Sequence, residues 1–264
     1  MELEVLELEG DTLRLLVRGA HTPFVNALRR IMIAEVPCMA VEVVSIVENS
    51  SVLDDEVLAH RIGLVPLKMD PRIIEEEPDK VVRLELVAEA KGETITVYSG
   101  DMRSDSPDVV PLYPNIPIVK LAPGQRIYLI AKARLGTGSE HARWQPVSVA
   151  AHKYLPVIRV DVSRCTLCGK CIEICPKKIF DRTDSALKVR NVLACTLCKD
   201  CVDVCPLDPP AIDVSWEEGS YVMYVESTGV LPPDFILKQA TKVLERKLEE
   251  FESKLKEVLA GGEA

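Results

Sequence analysis

Apolar and charged side chains alternate over Leu3 to Glu9, and this period of two predicts a half-exposed strand. Gly10 and Asp11 interrupt it, and 12–17 resumes in strand-like composition, so the two runs predict a hairpin. The period then changes in HTPFVNALRRIMIAEVP (21–37), where Thr22 suits a helix N-cap, Pro23 the first helical position and Pro37 the stop. Phe24, Leu28 and Ile31 share one face of this helix and Val25 and Met32 widen it, which predicts burial by a sheet and by another chain. Strand-like residues return over 41–47. Asp54 is placed to cap a short helix, DDEVLAHRIG, which Gly63 ends before the extended LVPLKM. VVRLELVAEA, ETITVYSG and IYLIAKARLG predict further strands between polar and proline-rich loops, and 48–160 reads as one mixed, β-rich domain.

Towards the end, SYVMYVES alternates again. LPPDFILKQATKVLERKLEEFESKLKEVLAGG is the longest predicted helix, opened by Pro232 and Pro233 and closed by Gly261. Its apolar residues Leu237, Ala240, Leu244, Leu248, Phe251, Leu255 and Val258 advance by about 3.5 residues, a seam like that of a coiled coil. A surface helix lying on its own domain can carry the same pattern, but the length favours a partner helix.

At 264 residues the chain has room for two or three domains, and 47% hydrophobic with 28% charged residues is ordinary for a globular protein. No apolar run is long enough to span a bilayer. The alternating, acidic N-terminus reads as neither a signal nor a transit peptide, so cytoplasmic residence is expected. A net charge of −9 without a Lys/Arg stripe argues against independent DNA binding.

Eight of the nine cysteines fall in two runs, CTLCGKCIEICP (165–176) and CTLCKDCVDVCP (195–206). Cys38 stands apart beside an apolar run and reads as a small buried hydrophobe. Each run has the spacing C-x2-C-x2-C-x3-C-P of bacterial ferredoxins, in which three close thiolates wrap one cluster and the fourth binds the other. One set is then Cys165, Cys168, Cys171 and Cys205, and the other Cys195, Cys198, Cys201 and Cys175. The expected cofactors are two 4Fe-4S clusters, with one site open to a 3Fe-4S form. Zinc ribbons also use paired C-x2-C units, but they require neither the third and fourth cysteines nor the proline after each run. Taken alone, the runs describe a ferredoxin-type electron carrier or an oxidoreductase subunit. No flavin or nicotinamide site accompanies them: GTGSEH (136–141) holds only the start of a glycine fingerprint and reads as a loop.

Other clusters read as structural. Asp101, Asp105 and Asp108 lack metal-loop spacing and suit a solvated loop. His21, His60 and His152 are isolated, and no nucleophile–base pair, HExxH, GxSxG or P-loop pattern occurs, so no catalytic apparatus is visible. His141, Arg143 and Trp144 in HARWQP have the composition of binding hot spots, or of a loop packed on its own domain. Arg29 and Arg30 lie towards the favourable C-terminal end of the first helix.

FVNALRRIMIAEVPCMAVE followed by SSVLDDEVLAHRIGLVPL closely resembles the D-type family of archaeal RNA polymerase subunits, which is similar to the N-terminal domain of the bacterial alpha subunit. GTGSEHARWQPVSVA, YVMYVESTGVLPPDFIL and the long final helix fit the same family, some of whose members carry a ferredoxin-like insertion. The resemblance implies an α+β architecture: a discontinuous dimerisation domain (1–47 and 215–264), a β-rich insert (48–160) and a ferredoxin-like iron–sulfur domain (161–214). It implies a heterodimer with the smaller subunit L through the helices at 23–36 and 232–260, with Phe24, Leu28, Leu244, Leu248 and Phe251 as anchors. It further implies an assembly platform for the small subunits N and P and the second-largest subunit. HARWQP and DEVLAHRIGLVPL are the expected docking segments, with Arg29, Arg30 and Arg61 as polar contacts and His141, Arg143 and Trp144 beside them. Nucleotidyl transfer belongs to the two largest subunits, so this chain is expected to be non-catalytic. The clusters would stabilise an insert of about fifty residues whose own core is small.

Overall fold

The opening alternation forms β1 (Glu2–Glu9) and β2 (Thr12–Arg18), joined through Gly10 at a left-handed φ of 53°. They are described, with residues 1–183 and 185–261 as a whole, by a computed structural model. Asp184 of the expected iron–sulfur domain and positions 262–264 of the expected dimerisation domain lie outside the described residues.

Helix α1 (Thr22–Ala34) takes Thr22 into its first turn. The Thr22 hydroxyl is hydrogen-bonded to the Tyr154 and Tyr221 hydroxyls at 3.1 and 2.8 Å. It is the His21 carbonyl that accepts the first helical N–H groups, from Phe24 and Val25 at 3.0 and 3.2 Å. β3 (Cys38–Asn49) begins earlier than the pattern suggested, because Cys38, Met39, Ala40 and Val41 are all interior. α2 (Asp55–Gly63) forms where expected, but the Asp54 side chain makes no capping bond. Asn49 instead anchors this start, donating to the Leu53 carbonyl at 2.9 Å and to Asp55 at 2.7 Å.

β4 (Leu67–Met69), α3 (Ile73–Glu76), β5 (Val82–Glu89), β6 (Ile95–Tyr98), β7 (Arg103–Ser104), β8 (Val109–Pro111) and β9 (Pro117–Leu121) lead to β10 (Arg126–Gly136). β10 pairs antiparallel with β3 on one side and β5 on the other, in the sheet order β3-β10-β5-β7. Leu129 stands opposite Leu86 and Ala131 opposite Leu84, and these four residues are fully buried, so alternate positions of β5 and β10 supply one continuous core face.

β11 (Val147–Val160) is a 14-residue strand that the hydrophobic pattern did not single out. Short α4 (Lys170–Ile174), β12 (Phe180–Arg182), β13 (Leu187–Val189) and α5 (Asp200–Asp203) follow, then β14 (Ile212–Ser227) and α6 (Pro233–Gly261). A second sheet has the order β1-β2-β14-β11, so residues 147–160 share a sheet with strands from both ends of the chain.

The chain falls into two compact units. One comprises Met1–Glu7, Arg14–Asn26 and Ala151–Tyr224, and the other Leu8–Leu13, Ala27–Ala150 and everything described from Val225 onward. Within the second, Ile236, Ala240 and Val243 bury the first half of α6, whereas Leu248, Phe251, Leu255, Val258 and Leu259 stand in solvent. Among the described residues no helix is long and apolar enough to cross a membrane.

Candidate metal centre and partner surfaces

Thirty residues separate Cys165 from Cys195, and the backbone repeats with the sequence. Leu167 and Gly169 in the first run adopt left-handed φ values of 54° and 82°, and Leu197 and Lys199 in the second adopt 60° and 66°. Such turns swing backbone N–H groups towards the sulfurs. The Leu197 N–H donates to Cys195 Sγ at 3.4 Å, and the Ala211 N–H to Cys205 Sγ at 3.5 Å. α4 and α5 then place the buried Cys171 and Cys201.

The runs exchange their last cysteines. Cys165, Cys168, Cys171 and Cys205 line one cavity, along with Leu167, Ile172, Leu187 and Ile212. Cys195, Cys198, Cys201 and Cys175 line another, along with Ile179, Phe180 and Val214. The small core of this region is built on the same residues: Ile179, Phe180, Leu187, Ile212 and Val214 are buried beside Cys171, Cys195 and Cys201, with Ile158 and Val160 of β11 packed against them.

Among the described residues, no three His, Cys, Asp or Glu side chains converge closely enough to hold a metal ion. Each quartet lines a cavity with apolar walls. A single tetrahedral ion holds its thiolates about 2.3 Å from one shared centre, whereas a cluster binds each thiolate to a different iron and needs them spread around its faces. Four thiols within apolar walls are a donor set that fits an iron–sulfur cluster. Burial, and then the facing Cys195, Cys198 and Cys175, push the Cys201 thiol up to about 11. Cys171 is also raised, by burial first and then by Cys168 and Cys165. Facing thiols of this kind resist ionisation, and metal charge is what turns them into ligands. Cys38 lines neither cavity, and burial pushes its thiol up to about 12.

The acidic loop is used locally. Asp101 accepts from the Tyr98 N–H at 2.8 Å, Asp105 from the Arg83 N–H at 3.0 Å, and Asp108 lies 3.7 Å from Lys80. GTGSEH packs on the C-terminal end of α1, where the Ser139 N–H donates to the Ala34 carbonyl at 2.8 Å. A side chain at Gly138 would meet the Ile33 carbonyl oxygen at 2.2 Å, so only glycine fits there.

The expected partner residues divide by exposure. On α6, Leu244 is half-buried, while Leu248 and Phe251 are 62% and 67% exposed. Phe24 and Arg29 are half-buried and Arg30 is exposed, but Leu28 is interior. Trp144 is only 4% exposed, which leaves little of it for another chain to touch. Its indole N–H donates to the Arg134 carbonyl at 3.2 Å, its ring lies against Gly136, and the Arg134 and Arg143 guanidiniums lie 4.7 and 5.5 Å from the ring centre. Arg143 also donates to the Val41 carbonyl at 2.7 Å and to His141 Nδ1 at 3.3 Å, while exposed Arg61 donates to the Pro117 carbonyl at 2.6 Å. Arg134 pairs with Glu42 and Glu140. The Arg134 hydrogen bond holds the Glu42 carboxyl below its ordinary value, and the Thr137 N–H followed by Arg134 does the same for Glu140.

Residues 14–248 match the RNA polymerase Rpb3/Rpb11 dimerisation domain family. The chain is similar to DNA-directed RNA polymerase subunit Rpo3 of Archaeoglobus fulgidus, at 42% identity over 97% of this chain and 98% of that one. It is 41% identical to subunit Rpo3 of Methanothermobacter thermautotrophicus, over 95% of this chain and 97% of the relative. The corresponding Pyrobaculum arsenaticum protein is 39% identical, over 99% and 98%.

Proposed function

From a chain that belongs to the RNA polymerase Rpb3/Rpb11 dimerisation family, we infer a non-catalytic assembly subunit of an archaeal DNA-directed RNA polymerase. It contributes structure to a nucleotidyltransferase whose chemistry resides in other subunits. Its partner is the smaller subunit L, and the pair forms the platform on which subunits N and P and the second-largest subunit gather. The family match over 14–248 carries this reading, because it begins and ends well outside the cysteine-rich segment. An electron carrier would account for that segment alone.

The exposed Leu248 and Phe251, with Leu255 and Val258 further along α6, support pairing through this helix. Half-buried Phe24 and Leu244 extend the proposed contact, and Arg29, Arg30, Arg61 and His141 are its polar candidates or those of the platform. Co-expression with subunit L followed by mass measurement in solution tests it. A stable one-to-one complex is expected, and a chain that stays monomeric beside L would overturn the assignment.

Within this subunit, the cysteine quartets hold two 4Fe-4S clusters that stabilise a ferredoxin-like domain at 161–214, flanked by the β-rich insert (48–160) and the split dimerisation domain (1–47 and 215–264). The two cysteine-lined cavities and the meagre core around Phe180 support this. Bound clusters supply thiolate–iron bonds where packing alone is thin. Anaerobic purification should yield about eight irons and eight sulfides per chain. Zinc in their place would overturn the cluster reading and leave the polymerase assignment standing.

A further inference from the structure

The two halves of the cysteine repeat differ in what holds the turn that leads into them. Ahead of Cys165 the Asp161 carboxylate closes the turn, accepting from the Ser163 N–H at 3.0 Å, the Ser163 hydroxyl at 2.6 Å and the Arg164 N–H at 3.3 Å, while the Asp161 N–H donates to the Ala211 carbonyl at 2.8 Å. At the corresponding place ahead of Cys195 stands Asn191, whose side chain makes no capping bond to the Val192–Ala194 turn. That turn is held from a distant strand instead. Lys153 of β11 donates from one ammonium to the Leu193 carbonyl at 2.6 Å and to the carbonyl of Cys195 itself at 2.7 Å.

Resting on the reading of the quartets as cluster ligands, we propose that Lys153 is a positioning residue for the second cluster, fixing Cys195 from β11 and setting that cluster's lifetime and potential. An ammonium has three donors and a compact charge, so one side chain can clamp two carbonyls at the end of a short turn. Its carbonyl partner at 195 belongs to a ligand residue, so the clamp orients the ligand as an outer hydrogen bond orients a metal-bound histidine. The half-buried positive charge also favours the more negative, reduced state of a cluster beside it. Around the first quartet, Arg164 donates to the Pro209 carbonyl at 2.8 Å, but among the described residues no side chain is seen donating to the carbonyl of a first-quartet cysteine. The repeat is therefore symmetric in its ligands and asymmetric in its supports, and it is the second half that Lys153 ties to the sheet of β14 and β11.

The experiment compares the full chain, purified anaerobically, with its Lys153→Met, Lys153→Arg and Asp161→Ala variants. Electron paramagnetic resonance after dithionite reduction follows each cluster, with the signals assigned by Cys168→Ser and Cys198→Ser. In Lys153→Met the second cluster should be lost on exposure to air about 10-fold faster or more, and its midpoint should move to a more negative potential. The first cluster should keep its lifetime, Lys153→Arg should restore most of the wild-type behaviour, and Asp161→Ala should disturb the first cluster instead. If Lys153→Met does not fold, Lys153→Gln is measured in its place. Unchanged lifetime and potential of the second cluster, or equal effects on both clusters, would overturn the assignment of Lys153 alone. A wild-type chain without iron and sulfide would instead remove the cluster reading beneath it.

Discussion

Trp144 shows how far a residue's role depends on neighbours that its own segment does not contain. HARWQP has the composition of a contact surface, yet the indole is enclosed by β10, by Gly136 and by two guanidiniums. Trp144→Ala should cost about 3–5 kcal/mol in chemical denaturation. Gly136→Ala should displace the same ring, since its new Cβ would sit 2.6 Å from the indole; near-ultraviolet circular dichroism should show the loss. Cys38 was legible from its apolar surroundings, and its burial has a chemical corollary. With its thiol pushed up to about 12, iodoacetamide at pH 8 should leave Cys38 unmodified in the folded chain and modify it in urea, as read by mass spectrometry. The Arg134 pairs carry a pH dependence of definite sign. Their carboxyls are depressed on folding, so the stabilisation is complete above the unfolded carboxylate value of about 4.3 and fades as pH falls below it. The stability difference between wild type and Arg134→Ala should accordingly shrink between pH 6 and pH 3.

At the scale of elements, alternation and capping residues announced most of the longer strands and all three long helices, because each is encoded within its own segment. β11 escaped. Its burial does not alternate cleanly and Pro156 interrupts it, a combination that argues against a strand read in isolation. As the terminal strand in the order β1-β2-β14-β11 it tolerates proline, but that position is a property of the sheet. The lysine it carries was illegible for the same reason, since Lys153 acquires meaning only when β11 is brought beside residue 195. α6 was readable as an apolar seam, but where that seam passes from interior to solvent was not. Leu248→Asp and Phe251→Asp together should abolish pairing with subunit L in co-purification while changing the chain's own stability by no more than about 0.5 kcal/mol each.

For the whole molecule, the cysteines that share a cavity belong to a spacing that is local and written twice in the sequence. The interleaving of chain segments into two units had no such signature; it depends on pairings between residues more than a hundred positions apart. Cys195→Ser or Cys198→Ser should loosen the module around Phe180 and impair polymerase assembly more than pairing with L, as measured by hydrogen exchange and reconstitution. Unimpaired assembly would leave the proposed clusters as local supports only. The solvent-facing end of α6 has a different consequence, one of supply. A copy made without its companion carries several large apolar side chains in water on one projecting helix, a surface that invites aggregation and proteolysis. Under the proposed pairing that surface is covered, so the lifetime of the chain should gauge how much companion is present.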